Sequence, residues 1–240
     1  MEIAGRSATQ LSIPIEEKET FRWIEGLRDT VHLAAQMPQT RLIHVCDREA
    51  DFFDLFEEQR RHGVELIVRA NHNRGILEEP YKLFEAVRQS PLQRKVQVSV
   101  PYQSARPKLS KKKARPGRPS RQANLEVRYQ RVQLCPPKYH REKDPNDIWV
   151  IHAVETCPPA GTEAIEWFVL TTMNILSGDD AVQCLRWYCL RSRIEDWHRV
   201  LKSGCGVERI AHETAERIRR AIAINLVIAW RIMLITLLGR

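Results

Sequence analysis

Two groups of residues in this sequence have the types and spacing to do chemistry. Counting about 100° per residue along a helix spanning 177–202, Tyr188, Arg191, Glu195, Arg199 and Lys202 share one arc of about 80°. Trp187, Leu190, Ile194, Trp197 and Leu201 occupy a separate arc, so one face packs and the other presents one acid among three cations and a tyrosine. A solvated, salt-bridged helix face is the ordinary explanation of such a charge run. The surplus of cations over acid is what argues instead for a bound anion. The second candidate is Asp47, which closes the run Leu42-Ile43-His44-Val45-Cys46. In open α/β sheets, ligands sit at the carboxyl ends of strands. A carboxylate there, beside a second one from a helix, can share a divalent cation, and oxygen ligands suit Mg²⁺ or Mn²⁺. Asp47 as the N-cap of the next helix explains its identity about equally well.

These residues need elements to hold them. Glu16 to Gln36 reads as a helix, with Phe21, Ile24, Leu27, Val31 and Ala35 at three- and four-residue steps. Arg41–Cys46 reads as a buried strand, Ala50–His62 as a helix stopped by Gly63, and Glu65–Ala70 as a second buried strand. Strand, helix and strand joined by short connections predict a parallel βαβ unit. Lys95–Val100 and Leu125–Leu134 alternate apolar and polar residues, and 148–154 and 167–171 are further β-type runs. Residues 71–165 are therefore expected to form a mainly β subdomain inserted into an α/β frame, between a first part over 1–70 and a last part over 166–240. Ser177 is the expected N-cap of the helix that carries Glu195, with Asp179 and Asp180 in its first turn. A last helix covers roughly Glu213 to Leu238.

The composition excludes several classes. The chain has 240 residues, 43% hydrophobic and 28% charged, which fits a globular domain and not a disordered, collagen-like or disulfide-framework chain. The net charge is +8, and its source is local. Residues 86–125 hold eleven basic residues, among them Lys111, Lys112 and Lys113, and no acid. The remainder has 27 basic and 30 acidic residues. A localised basic segment implies a polyanionic partner, most often nucleic acid. The six cysteines form no C-x-x-C pair, and no His cluster has zinc-finger spacing, which argues against zinc. No signal peptide opens the chain, so reduced thiols in a cytoplasmic protein are expected, each a small buried hydrophobe. Ala221–Leu238 is almost wholly apolar but contains Asn225 and Arg231. A mid-span Arg costs ~2.5–3.5 kcal/mol on insertion scales, and basic residues flank both ends, so a buried core helix is expected and a membrane span is not.

With these residues in place, the sequence resembles a known family. Val45-Cys46-Asp47-Arg48-Glu49-Ala50-Asp51 is similar to the segment around the second catalytic Asp of bacterial cut-and-paste DDE transposases of insertion-sequence family four, the transposon-five transposase type. Tyr188-(2)-Arg191-(3)-Glu195-(6)-Lys202 resembles that family's Y-R-E-K signature with its spacings kept, and Glu17-Lys18-Glu19 with Trp23 resembles the helix ahead of the second Asp. The resemblance implies an RNase H-like catalytic core interrupted by a β insertion, with double-stranded DNA at transposon ends as partner, a homodimer in the synaptic complex, and two Mg²⁺ or Mn²⁺ ions as cofactors. It implies that Asp47 and Glu195 are metal-binding carboxylates and that Tyr188, Arg191 and Lys202 bind phosphates. Arg69 matches a family Arg near the active site. Trp167 matches the Trp that stacks on a flipped base, although a strand residue packed in the core explains it equally well. Arg199 stands where the family often has Lys.

The family pattern has three carboxylates, the first on a strand ahead of the helix that begins near Glu16. The sequence before that helix holds one acid, Glu2. The expectation is therefore a partial core lacking its first strands and first Asp, of weakened activity. The alternative is a non-catalytic DNA-binding or subunit-sequestering fragment. A third reading, an unrelated basic RNA-binding or membrane-surface protein, gives Tyr188, Arg191 and Lys202 no more weight than Lys111–Lys113.

Overall fold

The computed structural model describes residues 14–100, 105, 117 and 119–239. Lys111, Lys112 and Lys113 lie outside the described residues. The chain divides into two compact units, 1–188 and 189–240.

The first unit is built on one six-stranded sheet. Its strands are β1 (Ile43–Cys46), β2 (Glu65–Arg69), β3 (Arg94–Val100), β4 (Arg121–Leu134), β5 (Asn146–Glu155) and β6 (Glu166–Thr171). The order is β1-β2-β6-β5-β4-β3. β1 and β2 are parallel, as the short strand-helix-strand connection requires, and the other pairings are antiparallel. The strands of 71–165 thus continue the sheet that begins with β1 and β2, through β6.

Both faces of the central strands are buried, and the two-residue alternation sorts them. Leu66, Val68, Val150, Phe168 and Leu170 join one core with Ile24 and Leu27 of α1 (Arg22–Gln36), Leu55 and Phe56 of α2 (Phe53–His62), and Leu83 and Val87 of α3 (Leu83–Gln89). Ile67, Ile151 and Val169 point the other way, into a core with Ala181, Cys184 and Leu185 of α4 (Gly178–Leu190). α1 lies close to β1: a Cβ on Gly26 would sit 3.2 Å from the His44 ring, and the Thr30 hydroxyl lies 3.1 Å from His44 Nδ1. Gly63 ends α2 in the left-handed region, φ 75°, which a side chain would strain.

The helix expected from Glu16 opens as two 3-10 turns, Ile15–Glu17 and Glu19–Phe21, and becomes α-helical at Arg22. The helix expected from Ala50 begins at Phe53, because Asp47 opens a separate 3-10 turn (Arg48–Ala50) and Phe52 is extended. α3 was not foreseen from the sequence. The Ser177 cap is present: its hydroxyl accepts from the Asp180 N–H at 3.2 Å while Asp180 Oδ2 accepts from the Ser177 N–H at 2.9 Å, a reciprocal box.

The helix expected over 177–202 is not continuous. It divides into α4, α5 (Ser192–Arg199) and a π turn (Val200–Gly204). The Ser192 hydroxyl donates to the Cys189 carbonyl at 2.9 Å, and the Ile194 N–H bonds Arg191 O, three residues back, at 3.1 Å. The α-helical pattern is interrupted there at Arg191, where the Ser192 hydroxyl competes for a helix carbonyl. The apolar arc is interrupted with it, and Leu190 and Ile194 are exposed.

In the second unit, α6 (Ala215–Leu238) starts at Thr214, whose hydroxyl accepts from the Arg217 N–H. The Trp197 indole donates to Leu226 O at 3.4 Å, and Leu201 and Ala229 are buried. The expectation of a buried final helix is overturned. Ile224, Trp230, Ile235 and Leu238 are 62%, 50%, 70% and 79% exposed. Among the described residues of this unit, α5 and the π turn make the main contacts with α6, a helix that is largely apolar beyond Arg220. By length and composition α6 could also cross a bilayer, Arg231 notwithstanding.

Candidate active site

β1 and β2 run parallel, so their carboxyl ends deliver two loops to the same edge. Asp47 is the first residue past β1 and is half-buried. Its Oδ1 accepts from the Glu49 N–H at 2.8 Å, capping the turn Arg48–Ala50. The capping role expected of Asp47 is therefore real. Beside it lies a cleft of about 830 Å³ whose lining includes Arg22, Arg48, Glu49, Asp51, Asn71 and His72. Glu49 pairs with Arg22, and that hydrogen bond raises the guanidinium above its ordinary range.

Asp51 is the residue that sequence reasoning missed. Its side chain is fully buried. Oδ2 accepts from the backbone N–H groups of Asn71 at 2.7 Å and His72 at 2.9 Å, and Oδ1 accepts from Arg74 Nε at 2.7 Å. Arg74 also donates to the Asp51 carbonyl. A carboxylate is thus satisfied away from water by three donors. The available signal was its place at the end of a run of acids flanking a strand end.

Arg69 ends β2, half-buried, opposite Val169 of β6. Trp167 lies on β6, and its ring centroid is 6.0 Å from that of Tyr188 in an edge-on arrangement. Both rings pack partly buried against the core of Ile67, Val169, Cys184 and Leu185. The structure thus shows Trp167 packed, partly buried, against Tyr188 and this core. In the same core, burial pushes the Cys184 thiol up to about 12, which leaves it an unreactive small hydrophobe.

In the second unit, the cations expected around Glu195 are shared among several acids. Arg191 Nη1 donates to Glu195 Oε1 at 3.0 Å. Arg199 pairs with Asp196, and Lys202 Nζ lies 2.8 Å from Glu208. The Glu195 side chain is 68% exposed. These are helix-surface pairs of the kind a salt-bridged face makes, and they are cheap to exchange for a phosphate.

Asp47 and Glu195 are hard oxygen donors, the kind Mg²⁺ and Mn²⁺ take. Among the described residues no three His, Cys, Asp or Glu side chains converge as a ready metal cluster. By chemistry these oxygen donors suit a divalent cation, and among the described residues no metal site is formed around them.

A family model described as transposase DDE domain matches residues 24–231. The match runs from α1 through most of α6 and takes in the strand end at Asp47, the Trp167–Tyr188 pair and the helix that bears Glu195. Divalent metal use and action on DNA are general to such transposases. Covering most of its length, the match shows that the chain belongs to the transposase DDE domain family.

Proposed function

We propose that this chain is a cut-and-paste transposase of the insertion-sequence family four type, similar to the transposon-five transposase. It would act on double-stranded DNA at transposon ends, in a synaptic homodimer, in the cytoplasm of a bacterium. The observation that carries the reading is the position of Asp47, first beyond a buried parallel strand and inside the span matched by the family. In this reading the parallel β1–β2 pair belongs to an RNase H-like core, 71–165 is its mainly β insertion, and 166–240 returns the chain to the core.

Asp47 and Glu195 are the carboxylates we assign to Mg²⁺ or Mn²⁺. Bound there, the metal would stabilise the attacking and leaving oxygens of an in-line displacement at phosphorus. Arg191, Arg199, Lys202 and Arg69, with Lys111, Lys112 and Lys113, neutralise phosphates so that two DNA strands can approach. Trp167 and Tyr188 offer an aromatic surface to an extruded base. Extrusion costs a few kcal/mol, and base–aromatic stacking contributes about 1–3 kcal/mol.

A second reading is a DNA-binding or subunit-sequestering protein without chemistry. It is favoured by the engagement of Glu195 with Arg191 and of Asp47 with its own turn. The test is purified protein, Mn²⁺ and a duplex carrying a transposon end. Metal-dependent nicking that is lost in Glu195→Ala supports the enzyme. Salt-sensitive binding with no nicking supports the second reading.

A further inference from the structure

The turn that carries Asp47 and the loop that leaves β2 are separate stretches of chain, 20 and more residues apart, and one side chain joins them. Asp51 stands one 3-10 turn after Asp47. That turn is tightly built: Ala50 N–H bonds Asp47 O at 3.2 Å, Asp51 N–H bonds Arg48 O at 3.3 Å, and the Ala50 methyl is fully buried. At the far end of the turn, the Asp51 carboxylate takes the N–H groups of Asn71 and His72 and the Nε of Arg74. The Asn71–Arg74 loop is fixed in turn to α3, where the Phe84 N–H donates to Asn73 Oδ1 at 2.9 Å and the Leu83 N–H donates to Arg74 O at 3.0 Å. A continuous path of hydrogen bonds therefore runs from α3 through Asn71–Arg74 and Asp51 to Asp47.

We infer that Asp51, with Arg74, is the positioning residue of this site: it holds the Asp47 turn against the β2 loop so that the Asp47 carboxylate meets its cation in a fixed orientation. Asp51 itself is no metal ligand, because its oxygens are spent on three donors and its side chain is out of reach of solvent. The inference rests on the reading of Asp47 as a metal carboxylate. Its chemistry is that of an outer-shell partner, whose loss leaves the ligand present but loosely aimed. Arg rather than Lys serves at 74 because the guanidinium reaches both the Asp51 side chain and the Asp51 carbonyl from one rigid plane.

The test is Mn²⁺ affinity, read from the electron paramagnetic resonance signal of free Mn²⁺, on the full chain and three variants. Asp47→Asn should abolish the site. Asp51→Asn and Arg74→Gln should weaken Mn²⁺ by about 10- to 100-fold, with the far-ultraviolet circular dichroism of the folded protein retained. Unchanged Mn²⁺ affinity in Arg74→Gln and Asp51→Asn, with Asp47→Asn silent, overturns the positioning role and leaves Asp47 as a ligand. Unchanged affinity in Asp47→Asn overturns the ligand reading itself and this inference with it. Should the variants not fold, amide exchange on the unsubstituted protein decides. Mn²⁺ should slow exchange at Glu49, Asn71 and His72 together, and slowing at Glu49 alone overturns the coupling of the two loops.

Discussion

Arg191 and Glu195 are joined by a 3.0 Å ion pair across one helical turn, with the cation on the N-terminal side. This is the weaker orientation for such a pair, and exposed pairs of this spacing contribute about 0.3–0.5 kcal/mol. Little free energy therefore holds the Glu195 carboxylate to Arg191. Glu195→Gln is expected to abolish metal-dependent strand cleavage while DNA affinity changes little. Arg191→Gln should instead weaken DNA binding and flatten its dependence on salt by about one phosphate contact. Cleavage assays beside filter binding at several salt concentrations separate the two effects.

The Trp167–Tyr188 contact predicts a measurable coupling in the absence of DNA. A double-mutant cycle with Trp167→Ala and Tyr188→Ala should return about 0.5–1.5 kcal/mol from thermal or urea unfolding. A base-binding role adds a second effect. Trp167→Phe should hold most of the stability yet reduce fluorescence of a 2-aminopurine placed at the transposon end less than the unsubstituted protein does. A normal 2-aminopurine response in Trp167→Ala would confine this tryptophan to packing.

Acid should weaken the first unit in two stages. Burial lowers the pKa of His44, and burial also lowers that of His152, against the opposing pull of Glu166. Below their ordinary value of 6.5 the unfolded chain takes up protons that the folded chain refuses, so stability falls as pH drops from about 6.5. Glu58 and Glu155 are held below 4.5 chiefly by hydrogen bonds from Arg28 and Arg121. Their contribution is present above 4.5 and is lost as pH falls below it. Thermal melts from pH 8 to about pH 2 should show the first loss shrink in His152→Phe and the second remain.

Burial separates two kinds of leucine and isoleucine. Leu27 of α1 has no exposed surface, so Leu27→Ala should cost about 2–5 kcal/mol in urea unfolding. Ile235 of α6 is 70% exposed, and Ile235→Lys should change stability by no more than about 0.5 kcal/mol. The same substitution should reduce light scattering at high protein concentration, because an exposed apolar helix favours association.

Much of the frame was legible one residue at a time. The β-type runs at 41–46, 65–70, 95–100, 125–134, 148–154 and 167–171 each became a strand, Gly63 ended α2, and Ser177 capped α4. The signals for these features are local: a period of two, a residue free to adopt positive φ, a hydroxyl three residues before an N–H. The parallel pairing of β1 and β2 also followed from the sequence, because a connection holding one helix returns the chain in the same direction.

Tertiary structure alone decided the rest. An 80° arc drawn through 177–202 assumed unbroken 3.6-residue periodicity, but the helix is interrupted at Arg191 and ends in a π turn, and Arg199 and Lys202 pair with Asp196 and Glu208. The apolar run at 221–238 promised burial, yet burial depends on what area neighbouring elements supply, and in α6 Ala229 is buried while Ile224, Trp230, Ile235 and Leu238 are exposed. Asp51 looked like one acid in an acidic run, because its partners at 71–74 are 20 and more residues away and no local pattern encodes a bond between strand ends. The sequence determined which residues could carry charge and metal. The packing of sheet and helices determined which of them are held still.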